Sequence, residues 1–156
     1  MMDEQLGSGM RQEREALRAA LGRVGVWSFA LETQTAAEER EAVRRIEELG
    51  YPALWVPEAV TSREIFSHAS WLLASSERLV VASGIANIWA RDPVAMANGW
   101  RMLTDAYPDR FVLGLGAGWF ARDYEEYGYG FGTAASRLRA LEEALPVIAD
   151  RLGRLE

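Results

Sequence analysis

Four short apolar runs alternate with amphipathic segments along this chain, and each run is apolar throughout instead of at every second residue. The runs are Val24–Phe29, Ala53–Val56, Leu79–Ile85 and Arg110–Leu115. A strand covered on both faces reads this way, so the pattern predicts a parallel sheet with helices packed over it. The intervening segments carry helix signals. Thr35-x-x-Glu38 is a capping box ahead of Val43, Ile46 and Leu49, and Gly50 and Pro52 stop that helix. Thr61-x-x-Glu64 reads as a second box, ahead of Ile65, Trp71 and Leu72. Asp92 caps a third helix with Pro93 at its first position; Ala97, Trp100, Leu103 and Tyr107 form its apolar face and Pro108 ends it. Leu138, Leu141, Leu145, Ile148 and Leu152 mark a last helix, with a kink expected at Pro146. About four βα units fit two architectures: an open doubly wound sheet, or part of a (β/α)8 barrel.

Composition narrows the chemistry. At 156 residues, 49% apolar and 26% charged, the chain is long enough for one domain with a sizeable core. Residues 1–22 are expected to form an extension with a short helix over Met10, Leu17 and Leu21, ending at Gly22; residues 23–156 are expected to form the domain. Met1–Gln5 is acidic with no apolar stretch after it, and no run is long enough to span a membrane, so a cytoplasmic protein is expected. A net charge of −6 argues against nucleic-acid or anionic-membrane partners. There is no cysteine, and every one of the 17 Lys+Arg cations is an arginine. Thiol nucleophiles, disulfides, thiolate metal sites, Walker-A phosphate loops and Schiff-base chemistry are therefore excluded. The lone histidine, His68, falls inside the second helix and is expected to be structural or solvated. A borrowed cofactor is the simplest source of reactivity for such a chain.

In both architectures ligands bind at the C-terminal ends of the strands. Glu58 follows the second strand and is a candidate acid, base or ligand-orienting group, with a salt bridge to a nearby arginine as the structural alternative. Ser83-Gly84-Ile85-Ala86-Asn87 ends the third strand, where glycine permits close backbone approach to a ligand. Gly114-Leu-Gly-Ala-Gly118-Trp119 resembles a dinucleotide fingerprint but puts Trp119 where its last glycine must stand, so that reading fails. Backbone amides around Gly116, Ala117 and Gly118 and the Trp119 indole remain available to a planar ring. Arg91 is placed to pair with Asp92 or Glu58, or to reach an anionic cofactor group. Trp27 and Phe29 at the first strand are placed to line a pocket, but the core is their expected fate. Tyr124, Tyr127, Tyr129 and Phe131, interleaved with glycines, form a long loop of the kind used as lids or binding loops.

Taken in order, VGVWSF, Glu47–Tyr51, Ala53–Glu58, Leu79–Asn87 with Arg91-Asp92-Pro93, and above all Arg110–Trp119 resemble the luciferase-like flavin and deazaflavin oxidoreductases. Asp123-Tyr124, Gly128, Phe131 and Arg137 continue the pattern, so the resemblance covers about residues 23–152. It is similar in particular to the coenzyme F-420-dependent branch. The resemblance implies the N-terminal half of a TIM (β/α)8 barrel that takes coenzyme F-420, or FMN as second choice, at the strand ends. Hydride transfer or monooxygenation of a small organic substrate is the implied chemistry. It further implies that a non-proline cis peptide at Gly84-Ile85 supports the ring, with Asn87 and the Gly116–Gly118 turn near the ring or ribityl chain; Trp119 joins these cofactor-binding candidates by its indole, and Glu58 is the catalytic candidate by its place at a strand end. Two family positions differ: Glu58-Ala59 stands for Asp-His, and Trp119 for a glutamate, so sugar-phosphate dehydrogenation is not implied. A full barrel takes about 250 residues. Four units leave the first and fourth strands as apolar edges, so weak or absent catalysis by this chain alone, and a homodimer through those edges, are also expected.

Overall fold

The computed structural model describes residues 2–118, 125 and 132–153. Helix α1 (Met2–Leu21) is longer than the short helix expected and ends at Gly22. Then follow β1 (Val26–Trp27), a 3-10 turn (Ala30–Thr33), α2 (Ala36–Glu48), β2 (Ala53–Val56), α3 (Ile65–Ala74), β3 (Val80–Ser83), β4 (Ala86–Asn87), α4 (Pro93–Ala106), β5 (Phe111–Val112), β6 (Leu115–Gly116) and α5 (Ala134–Gly153). No helix among the described residues is long and apolar enough to cross a membrane.

Strand order decides between the two architectures. The main sheet runs β1-β2-β3-β5, all parallel, in chain order. A doubly wound sheet reverses direction at a switch point and so covers both faces with helices. Here every crossover advances the same way, and right-handed crossovers then leave all helices on one face. The fold is α/β, with four βα units corresponding to half of a (β/α)8 barrel.

The two faces differ as that geometry requires. In register across the sheet, Val26, Leu54, Val81 and Phe111 form one row, and all join the core with α3, α4 and α5. Ile65, Leu72 and Leu73 of α3, Met96 and Leu103 of α4, and Ala144 and Ile148 of α5 are its helical side. The adjacent row, Trp27, Trp55, Ala82 and Val112, points the other way. Trp27 is 58% exposed and Phe29 45%, so neither is core. The expectation failed because β1 is an edge strand with a neighbour on one side only, whereas β2 and β3, flanked on both sides, are buried almost throughout.

Past Ser83 the ladder breaks and resumes. β4 and β6 pair as a separate parallel ribbon that continues β3 and β5. The break is bridged by one hydroxyl: Ser83 Oγ accepts from the Gly114 N–H at 2.8 Å and donates to the Gly114 carbonyl at 2.9 Å. The expected third and fourth strands are thus each two short ones.

The α2 capping box forms as expected, with the Thr35 N–H donating to Glu38 Oε2 at 2.8 Å and the Glu38 N–H to Thr35 Oγ1 at 3.3 Å. Its apolar face is shorter than read, since Leu49 lies at the C-cap and is 56% exposed. The Asp92 cap also forms. The second box does not. Ser62 closes a turn onto both backbone groups of Ala59, which removes Thr61 from the helix start. Glu64 caps α3 instead, accepting from the Phe66 and Ser67 N–H groups. In α5 the stripe is shifted: Ala144 and Ile148 are buried, whereas Leu138 and Leu145 are exposed.

His68 is buried, not solvated. Its Nε2 lies 2.5 Å from Glu39 Oε1 and its Nδ1 3.3 Å from Glu32 Oε1. Arg63 pairs with the other Glu39 oxygen at 2.5 Å, and its N–H donates to Glu32 Oε2 at 2.8 Å. A buried charge needs such partners, and the cluster ties α2 and α3 to the turns after β1 and β2.

Below the sheet, Glu47 of α2 accepts from the N–H groups of Glu77, Arg78 and Leu79, fixing the turn into β3. Burial pushes this carboxyl up, but the N–H groups of Arg78, Glu77 and Leu79 and the Arg78 charge outweigh it, so Glu47 is held below its ordinary value. A depressed folded-state value means the stabilisation is complete above the unfolded value and disappears as pH falls through the folded one. Glu47→Ala is expected to lower stability by about 1–3 kcal/mol at neutral pH. Urea unfolding should show that difference shrinking as the pH falls through the Glu47 range.

Candidate functional site

The C-terminal ends of β2 and β3 meet at Glu58, which is buried. Pro57 ends the strand, and the next residue turns its carboxylate inward, under the start of α3. Oε1 accepts from the Ile65 N–H at 3.1 Å, and Oε2 from the Asn87 N–H at 2.7 Å. Arg91 clamps both oxygens, through Nη1 to Oε2 at 3.0 Å and through Nη2 to Oε1. The Glu58 N–H donates to the Ile85 carbonyl at 2.9 Å. Of the alternatives open for Arg91, the structure selects Glu58 and adds Glu64, 2.9 Å from Nη2. The guanidinium also lies 5.1 Å above the centre of the Phe66 ring. Glu64 is held below its ordinary value: burial works against this, but the Ser67 N–H and side chain, the Phe66 N–H and the Arg91 charge prevail.

This knot fixes the candidate ring-binding segments. Gly84-Ile85 is a cis peptide. Asn87 is buried, with its N–H on Glu58 and its Oδ1 accepting from the Trp89 N–H at 3.1 Å. Beside it, Gly116 runs so close to Ile85 that a Cβ there would stand 2.7 Å from Ile85 Cγ1. Ala117 is anchored by Trp89, whose Nε1–H donates to its carbonyl at 3.0 Å. Arg137 of α5 donates to the Gly118 carbonyl at 3.1 Å. A cleft of about 600 Å³ opens alongside, lined by Glu58, Glu64, Phe66, Asn87, Trp89 and Arg91 among others. That is within the size range of small-molecule sites.

Gly84, Ile85, Asn87, Gly116, Ala117 and Gly118 therefore converge on one end of the sheet, joined to Glu58. Trp119 and the aromatic loop residues Tyr124, Tyr127, Tyr129 and Phe131 lie outside the described residues. Sequence reading preferred the core over a pocket for Trp27, and did not single out Trp89 at all. Both are large apolar residues at strand ends, which was the available signal.

A family model described as luciferase-like monooxygenase matches residues 17–154. The chain belongs to the luciferase-like monooxygenase family. Solved structures share the fold. An F-420-dependent secondary alcohol dehydrogenase, in complex with an F-420–acetone adduct, is 20% identical with a TM-score of 0.70, over 82% of this chain and 42% of that one. The oxygenating constituent of 3,6-diketocamphane monooxygenase from Pseudomonas putida, in complex with FMN, is 12% identical with a TM-score of 0.69, over 81% and 38%. The coenzyme F-420-dependent tetrahydromethanopterin reductase from Methanopyrus kandleri is 16% identical with a TM-score of 0.60, over 69% and 30%. The chain thus spans less than half the length of each of these luciferase-like relatives.

Removing the Glu58 carboxylate leaves Arg91, 11% exposed, with the half-exposed Glu64 as its one carboxylate partner among the described residues. Glu58→Ala is expected to destabilise the chain by about 3 kcal/mol. A double-mutant cycle with Arg91→Ala, read by denaturant unfolding, should give a double variant much less destabilised than the sum of the singles.

Proposed function

We propose that this chain supplies the ring-binding mouth of a flavin- or deazaflavin-dependent oxidoreductase acting on a small organic substrate. Coenzyme F-420 is the first choice and FMN the second; the substrate carries no assignment beyond its class. One observation carries the reading: two backbone segments, Gly84–Asn87 and Gly116–Gly118, run together at the strand ends, with Gly116 bare against the Ile85 side chain. Such a surface suits a flat ring, and the indoles of Trp27, Trp55 and Trp89 border it. The residues present fit the group.

In this reading Gly84, Ile85 and Asn87 support the ring, and Gly116, Ala117, Gly118 and Trp119 border the ring or ribityl chain. When bound, the cofactor supplies a centre that accepts or donates hydride, or activates oxygen in the monooxygenase form. Glu58, with both oxygens occupied, takes the orienting role among those open to it: it holds the Asn87 N–H and Arg91 in place. The domain is assigned to residues 23–156, with residues 1–22 as its extension, and the protein to the cytoplasm. Equilibrium dialysis of the purified, folded chain against F-420 and against FMN tests the proposal. Saturable binding of at least one is expected, and binding of neither would sink it.

A second reading has its own support. β1 and β5 are the outer strands of the main sheet, and Trp27 on β1 is exposed. A non-catalytic half barrel that associates with a second copy would cover them. Sedimentation over a concentration series should then show a dimer; a monomer throughout, with no cofactor affinity, rejects it.

A further inference from the structure

We propose that Trp27 is the aromatic wall against which the cofactor ring lies and that it positions the Gly84 backbone beneath that ring. The inference rests on the cofactor reading above and deepens it. Trp27 is the last residue of β1, which places it at the mouth instead of midway along the inner face. Its Nε1–H donates to the Gly84 carbonyl at 3.0 Å, across two strands. A Cβ at Gly84 would stand 3.2 Å from both Trp27 Nε1 and Trp55 Cδ1, so the Gly84 backbone is seated against both indoles. An ordinary surface tryptophan turns freely. This one is held by its N–H while 58% of it stays exposed. A tryptophan with a fixed polar edge and an open face is what stacking on a planar, electron-poor ring requires. Trp89 is the rival wall, since it is held in the same way on Ala117 and is 42% exposed. Trp27 is favoured because its indole is bonded to Gly84 itself, whereas the Trp89 indole is bonded to Ala117.

Indole quenches the emission of a flavin or deazaflavin stacked on it, and phenylalanine does not. The purified chain is titrated with FMN and, separately, F-420, reading cofactor emission and affinity. Trp27→Phe is expected to leave the bound cofactor several-fold brighter and to weaken binding by about two- to tenfold. Trp89→Phe is expected to leave the bound emission as in the wild type. A second measurement needs no variant. Trp27 is the only tryptophan in the tryptic peptide 24–40, and Trp71 the only one in 64–78. Bound cofactor should slow oxidation of Trp27 several-fold and leave Trp71 unaffected. If the wild type binds a cofactor but Trp27→Phe keeps its quenching, or Trp27 is not protected, the inference is overturned. Relief of quenching by Trp89→Phe alone overturns it too. Binding of neither cofactor by the wild type removes the cofactor reading itself, and this inference with it.

Discussion

Most of what the mouth of this half barrel can do depends on one buried carboxylate. Glu58 receives N–H groups from α3 and β4 and both terminal nitrogens of Arg91, so a single side chain joins the start of α3, the β4 ribbon and the loop that carries Arg91. Such bonds are strong because the acceptor is charged and shielded from water. Arg91 in turn is shared with Glu64, the cap of α3. The start of one helix, the end of one strand and the ribbon beyond the ladder break are therefore set relative to each other by electrostatics. Apolar packing, which is non-directional, cannot fix them so closely.

The same bonds account for Arg91 in this structure. Its guanidinium is held by two carboxylates and lies over an aromatic face. The segments it steadies present backbone and indole, which in the proposed reading suit an uncharged ring.

Much of this was legible beforehand. The four apolar runs announced four parallel strands because burial on both faces removes alternation, and the Thr35 and Asp92 caps carry their own local chemistry. Glu58 stood out as a carboxylate at a strand end, and the glycines at 84 and 116 as places where a backbone could come close. The misses share a cause: each depended on long-range partners. The ladder breaks at Ser83 and Gly114 because a hydroxyl inserts between distant strands. Thr61 lost its cap to a turn closed by Ser62. Glu39 and His68, 29 residues apart, look like two unrelated surface residues until α2 and α3 pack. Leu138 and Leu145 fit a helical stripe equally well on either side of α5, and only the neighbour α4 chooses the side.

The two rows of the sheet carry a further implication. In β1, β2 and β3 the branched residues Val26, Leu54 and Val81 face the helices, and in β1 and β2 the opposite row holds indoles. Neighbouring parallel strands could in principle pair one residue out of step, with every backbone bond still made. Here a slip of β1 would drive Trp27 into the space filled by Val26 and leave Val26 on the open face. An indole in place of Val26 would have to displace the side chains packed there, so bulk on the other side favours one alignment of the sheet over its neighbours.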